Sequence, residues 1–157
     1  VNHVDFFSRL KRLLQLVNNA FDISHYQFTG IRYVNKYRID LPSNPGEIIK
    51  RNEFLQPDIN GLSKGGSNLN SVYVQNDNRL ILNTGVTVNS QPMAADLMEF
   101  TQELPMDMGP ANGVYAHVDL DANCLLNSMV TFDLDSVMRR FESLYWLAKK
   151  VHSEIVG

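Results

Sequence analysis

Three polar residues that could bind a metal ion or move a proton recur at every second position of the stretch VYAHVDLDANC. They are His117, Asp119 and Asp121. A β-strand points alternate side chains to one face, so a strand here would align all three. An imidazole with two carboxylates is a reasonable ligand set for a divalent metal, and would serve a metal-dependent hydrolase. The favoured interpretation is an ordinary solvated sheet face, because a metal site needs further ligands and the sequence offers no partner motif.

A second series with the same spacing is basic. Arg32, Lys36 and Arg38 occupy one face of the predicted strand in FTGIRYVNKYRIDLP. Cross-strand pairing of these residues with the acidic series is the expected use. An anion-binding or nucleic-acid face is the alternative. The net charge of −3 and pI of about 5.8 argue against nucleic acid as a partner, since phosphate binding usually needs a basic excess.

Other candidate chemistry is weaker. The loop GLSKGGSN has Lys64 before its glycine pair, the wrong order for a Walker motif, so a surface loop is favoured. No spacing links Cys124 to a histidine, and we therefore predict no catalytic residue and no cofactor. Met106 and Met108 fall in a Pro/Gly-rich loop, and Trp146 flanks the apolar stripe of the last helix. These three residues are the predicted partner surface.

Length and composition indicate one globular domain. The chain has 157 residues, of which 44% are hydrophobic and 20% charged. Its single cysteine excludes an intrachain disulfide and favours a reducing compartment, for which the cytoplasm is the expectation. No apolar run reaches the ~20 residues that a membrane span needs. The chain opens on Val1, so we expect a fragment of a longer protein.

Periodicity predicts an α+β domain. The order of elements is helix, long strand, short helix, hairpin, strand and long helix, which favours an antiparallel sheet of about four or more strands. Two long amphipathic helices are expected on its apolar face, leaving the His/Asp and Arg/Lys series exposed on the other. Gly85 suggests a bulge or a bend. Asn44 is the predicted cap of the short helix, and Asp133 is the predicted N-cap of the last helix. The predicted segments are helix 4–21, strand 27–41, a short helix from Pro45, loop 56–71, strands 71–75 and 79–88, strand 114–124 and helix 132–157, with 91–113 unassigned.

Three phrases carry a family resemblance. They are Gly30-Ile31-Arg32-Tyr33-Val34-Asn35-Lys36, then Asp119-Leu120-Asp121, then FDLD at 132–135. Together they resemble the carboxy-terminal half of a sporadically distributed family of uncharacterised bacterial proteins, which show a G-L-R-Y-[IV]-N phrase, a D-x-D strand and a terminal F-D-L-[DE] helix. The resemblance implies a bacterial source and a missing amino-terminal half. It implies no activity and no catalytic residues.

The sequence as a whole favours a non-catalytic module that binds a protein partner or a second copy of itself. The metal-dependent hydrolase built on His117, Asp119 and Asp121 is the alternative. The two hypotheses differ in geometry, because an enzyme needs these side chains in a concave pocket, whereas a binding module presents an open face.

Overall fold

The computed structural model describes residues 2–39, 44–89 and 112–157, and these form one sheet and two long helices. Residues 90–111, which include Met106, Met108 and most of the unassigned segment, lie outside the described part. Neither long helix within that part is apolar enough to cross a membrane. The described elements are α1 (His3–Phe21), β1 (His25–Ile39), two 3-10 turns (Pro45–Glu47 and Asn52–Phe54), β2 (Gly66–Gln75), β3 (Asn78–Val88), β4 (Val114–Thr131) and α2 (Leu134–Ile155).

The sheet has four antiparallel strands in the order β1-β4-β3-β2, which confirms the predicted fold class. Among the described strands, β4 and β3 lie inside the sheet, and β1 and β2 are its edges. The register places Arg32 opposite Asp121 and Lys36 opposite His117. The basic and His/Asp series therefore share one face, as the alternation predicts.

Both long helices pack against the other face. The apolar residues of β3 and β4 that point to the helices, such as Leu82 and Leu120, are almost fully buried with Leu144 of α2. Burial of such a side chain contributes ~1.5–3 kcal/mol, so this layer holds the domain together. Helix α1 runs antiparallel to α2, since His3 stacks on Tyr145 and Lys11 bonds Asp135 at 2.8 Å.

Two predicted caps are present. The Asp133 carboxylate accepts a hydrogen bond of 2.8 Å from the backbone N–H of Ser136 and begins α2. The Asn44 side chain accepts one of 3.0 Å from Gly46 and begins the first 3-10 turn. Each cap satisfies a backbone donor that the helix itself leaves unpaired, which is why Asp and Asn are preferred there.

Two predicted boundaries and one predicted bulge were wrong. Strand β2 begins at Gly66 within the predicted loop 56–71, because pairing with β3 overrides the loop-like composition. Strand β4 continues to Thr131, seven residues beyond the predicted end at Cys124. Gly85 forms no bulge, since both ladders pass through it without a register shift. A Cβ there would collide with the Ser67 carbonyl oxygen, so the glycine permits close approach of β2.

Candidate functional site

The predicted polar face contains a buried ion pair. Arg32 donates from Nε to Asp119 Oδ1 at 2.8 Å and from Nη2 to Oδ2 at 2.6 Å. Both carboxylate oxygens are thus held by one guanidinium in the bidentate geometry that strengthens such pairs. The expected pairing between the two series is present for these residues.

The face is less exposed than predicted. Tyr115, His117 and Asp119 are 3%, 7% and 4% exposed. The expectation of a solvated His/Asp series was therefore wrong for His117 and Asp119, because β4 is central and side chains of both neighbouring strands flank it. The residues of the basic series make different contacts. Arg32 binds Asp119, and Lys36 Nζ lies 4.7 Å from the centre of the Tyr115 ring. Arg38 is exposed near the end of β1.

A metal centre finds no support at this position. Asp119 is engaged by Arg32, and Asp121 accepts a hydrogen bond of 3.2 Å from Asn123. Among the described residues no group of three His, Cys, Asp or Glu side chains could hold a metal ion. His117 Nδ1 is buried and has no hydrogen-bond partner among the described residues. Burial lowers the pKa of His117, and the nearby charge of Asp119 partly offsets this by raising it. The hydrolase alternative stays an untested prediction.

A cleft on the opposite face of the sheet gathers polar groups that the sequence did not single out as a site. It lies between β1 and α2, with a volume of about 170 Å³. Two of its lining residues come from β1, one from β4 and four from α2. Positions two apart on a strand, or three or four apart on a helix, share a face, which is why these side chains meet in the cleft. Its lining residues are Tyr33, Asn35, Leu120, Tyr145, Ala148, Lys149 and His152.

Burial keeps three ionisable groups at or beside this cleft neutral near pH 7. Burial, helped by Tyr145, raises the pKa of Tyr33 to about 12. Tyr37 Oη and His152 Nε2 share a hydrogen bond of 2.8 Å, and burial raises the Tyr37 pKa and lowers the His152 pKa. Neutral hydroxyl and amide donors beside the Lys149 ammonium suit a ligand group that accepts hydrogen bonds.

Aromatic rings form the wall of the cleft nearest α1. Tyr145 stacks on His3 at 5.1 Å between ring centres and meets Phe7 and Tyr33 edge-on at 5.7 and 6.0 Å. Trp146 packs edge-on against Tyr145 and is 55% exposed. Lys149 Nζ lies 4.8 Å from the centre of one Trp146 ring. Trp146, one of the three residues predicted to form a partner surface, therefore lies beside the cleft.

No motif in the sequence marks the residues of this cleft as a site. Asn35 gave the available signal, because a carboxamide on the apolar side of a strand needs polar surroundings. His152, at the margin of the α2 stripe, gave a second. Tyr33 and Asn35 also belong to the phrase that carries the family resemblance. The contact between β1 and α2 that joins these signals spans more than a hundred residues of sequence.

Fold and cleft together define a class: an α+β domain with two helices on one face of a four-stranded antiparallel sheet and a polar cleft beside one edge strand. No protein-family model matches the chain, and neither a curated protein nor a solved structure is significantly similar to it. The resemblance to the uncharacterised bacterial family stays a prediction.

Proposed function

We propose that this domain is a non-catalytic interaction module that binds an extended acidic segment of a protein partner along β1, with one side chain of that segment in the cleft. The observation that carries the proposal is the position of the cleft. It lies under α2 at an edge strand, where an added strand would place a side chain in it.

Strand addition explains the geometry. Among the strands that the structure describes, β1 pairs with β4 alone. A peptide beside β1 would form backbone hydrogen bonds with it and send alternate side chains towards α2. Those side chains would lie next to Tyr33, Asn35 and Tyr37, which point the same way. Backbone bonding supplies affinity in this mode, and the pocket supplies specificity.

The chemistry of the cleft favours a carboxylate. Lys149 contributes a positive charge at the margin, and Tyr33 and Asn35 contribute hydrogen-bond donors. The aromatic wall around Tyr145 accommodates the aliphatic stem of a glutamate. A lysine in the same place would face the Lys149 ammonium among neutral donors, which is unfavourable.

A peptide titration followed by NMR tests the proposal. The probe is a seven-residue peptide of alternating Val and Glu, and the comparison is its Val/Lys counterpart. We expect the acidic peptide to shift the amide signals of residues 33–37. The Lys149→Glu substitution should weaken binding of this peptide by about tenfold or more, equivalent to ~1.4 kcal/mol. Lys150→Glu is the matched control, because Lys150 is a neighbouring lysine that is also exposed and does not line the cleft.

Two results would contradict this function. One is that the acidic and the basic peptide bind equally well, or that neither peptide binds. The other is a Lys149→Glu variant that binds the acidic peptide as well as the Lys150→Glu variant does. A shift map centred on another surface would move the site away from the cleft.

The proposed module belongs in the cytoplasm of a bacterium. Cys124 is a free, fully buried thiol in the core cluster, where its Sγ accepts a hydrogen bond of 3.5 Å from Arg140 Nη1. A fold held by its core suits a reducing compartment.

A further inference from the structure

The second edge of the sheet differs from the first in its charge. Strand β2 reads GSNLNSVYVQ and contains neither a charged residue nor a proline. Edge strands of proteins that stay monomeric usually carry such residues, because the open backbone edge otherwise pairs with another chain. The β1 edge contains Arg32, Lys36 and Arg38. The absence of these protective features is thus specific to β2.

Apolar side chains are exposed on both faces of this edge. Val72 and Val74 point away from the helices and are 48% and 74% exposed. Tyr73 points to the helix side and is 42% exposed. Three consecutive apolar residues at an edge expose more hydrophobic surface than isolated ones, and they mark a contact surface.

A groove of about 320 Å³ adjoins Tyr73 on the helix side of the sheet. Helix α2 packs mainly over β1 and β4, and Tyr73 of β2 keeps 42% of its surface exposed beside it. Gln75, Phe54 and Leu147 are among the residues that line the groove. A side chain from a second strand laid beside β2 would enter this space.

The charges at the rim of the groove suit a second copy. Lys150 and Arg51 provide cations and Glu154 an anion, with Arg51 Nη1 lying 3.7 Å from the Glu154 carboxylate. In a two-fold contact each copy presents the same patch, so a patch with both signs complements itself. Two β1 edges placed together would instead bring arginine and lysine residues against their own copies.

We infer that β2 is a self-association surface: two copies pair β2 with β2 antiparallel around a two-fold axis and join their sheets into one. The pairing buries Val72, Tyr73 and Val74 of both copies, and the uncharged strand meets itself without like-charge repulsion. This contact uses the opposite edge from the proposed peptide site, so the two are independent.

Sedimentation equilibrium over a wide range of protein concentration tests the inference. We expect the wild type to move from monomer to dimer mass, and Val72→Lys/Val74→Lys to weaken the dimer by about a hundredfold or more, because like charges are brought together. Both positions are exposed, and a thermal melt of the variant checks its fold. Met129→Lys is the control, since Met129 is 70% exposed on β4, outside β2.

Hydrogen exchange locates the contact. In the dimer we expect slower exchange of the amides of residues 66–75 and unchanged exchange in β1. A wild type that stays monomeric, or a double variant that dimerises like the wild type, would overturn the inference, as would protection at another segment. Protection of β2 that appears in a monomer only with the acidic peptide would assign this edge to a different partner. Lys149→Glu should leave the dimer intact, which separates this test from that of the cleft.

Discussion

Removal of Arg32 from the buried ion pair should destabilise the domain strongly. The Asp119 side chain is 5% exposed and that of Arg32 is 22% exposed. In Arg32→Met the carboxylate keeps its position in the centre of the sheet but loses the guanidinium that binds both of its oxygens. A buried charge without its partner costs about 3–5 kcal/mol.

The unequal exposure of the two partners predicts unequal effects. In Asp119→Asn the charge that remains is Arg32, which keeps some contact with water, so we expect a smaller loss of about 1–3 kcal/mol. The double variant Arg32→Met/Asp119→Leu removes both charges. It should be more stable than Arg32→Met alone, because no uncompensated charge is left.

Urea denaturation of the four proteins measures these differences directly. For a domain of this size, the larger loss corresponds to a fall in melting temperature of roughly 6–20 °C. A loss below ~1 kcal/mol for Arg32→Met, under the range for a broken buried pair, would show that the unpaired Asp119 charge is not costly. A larger loss for Asp119→Asn than for Arg32→Met would contradict the predicted order of the two effects. An unchanged m-value is needed for the comparison.

Two further predictions concern β3 and β4. Burial lowers the pKa of His117 from its ordinary 6.5, so the unfolded chain binds the proton more readily and stability falls as pH drops below about 6.5. In urea denaturation measured from pH 7.5 to pH 5, His117→Gln should therefore lose less stability than the wild type. An equal loss in both proteins would contradict this prediction. Gly85→Ala should cost ~1–3 kcal/mol of stability because the new methyl group meets the Ser67 backbone. Gly65→Ala is the control and should change thermal stability little, because a Cβ at Gly65 has no neighbour within 4 Å. Equal melting temperatures of the two variants would contradict the predicted cost at Gly85.

The fold was largely predictable because its signals are local. The helical period of α2 and its Asp133 cap are readable within one segment, and the alternation along β1 sets which residues face the helices. The start of β2 was not readable in this way. Its residues 66–70 are glycine, serine, asparagine and one leucine, and they become a strand because β3 pairs with them.

The candidate site was much less predictable. His117, Asp119 and Asp121 stand close together in the sequence, and so they attracted the chemical interpretation. The pairing of Asp119 with Arg32 depends on the contact between β1 and β4, which no local pattern specifies. The cleft residues are likewise distributed over β1 and α2. Asn35, a polar residue on the apolar side of β1, was the local signal that pointed to this cleft.

The two edges of the sheet have complementary consequences for binding. The basic residues of β1 disfavour pairing of this strand with its own copy, while an uncharged β2 meets itself without repulsion. In the proposed dimer the two β2 strands are adjacent, and the two β1 edges lie at opposite ends of one continuous sheet. Seven steps between eight strands, each ~4.8 Å wide, place these edges ~34 Å apart. A partner that carries two acidic segments joined by a linker of that span would bind both clefts at once, and its avidity would exceed the affinity of either site. Dissociation of the β2 contact should then weaken such a bivalent partner far more than a single peptide, which links the two surfaces in one measurable quantity.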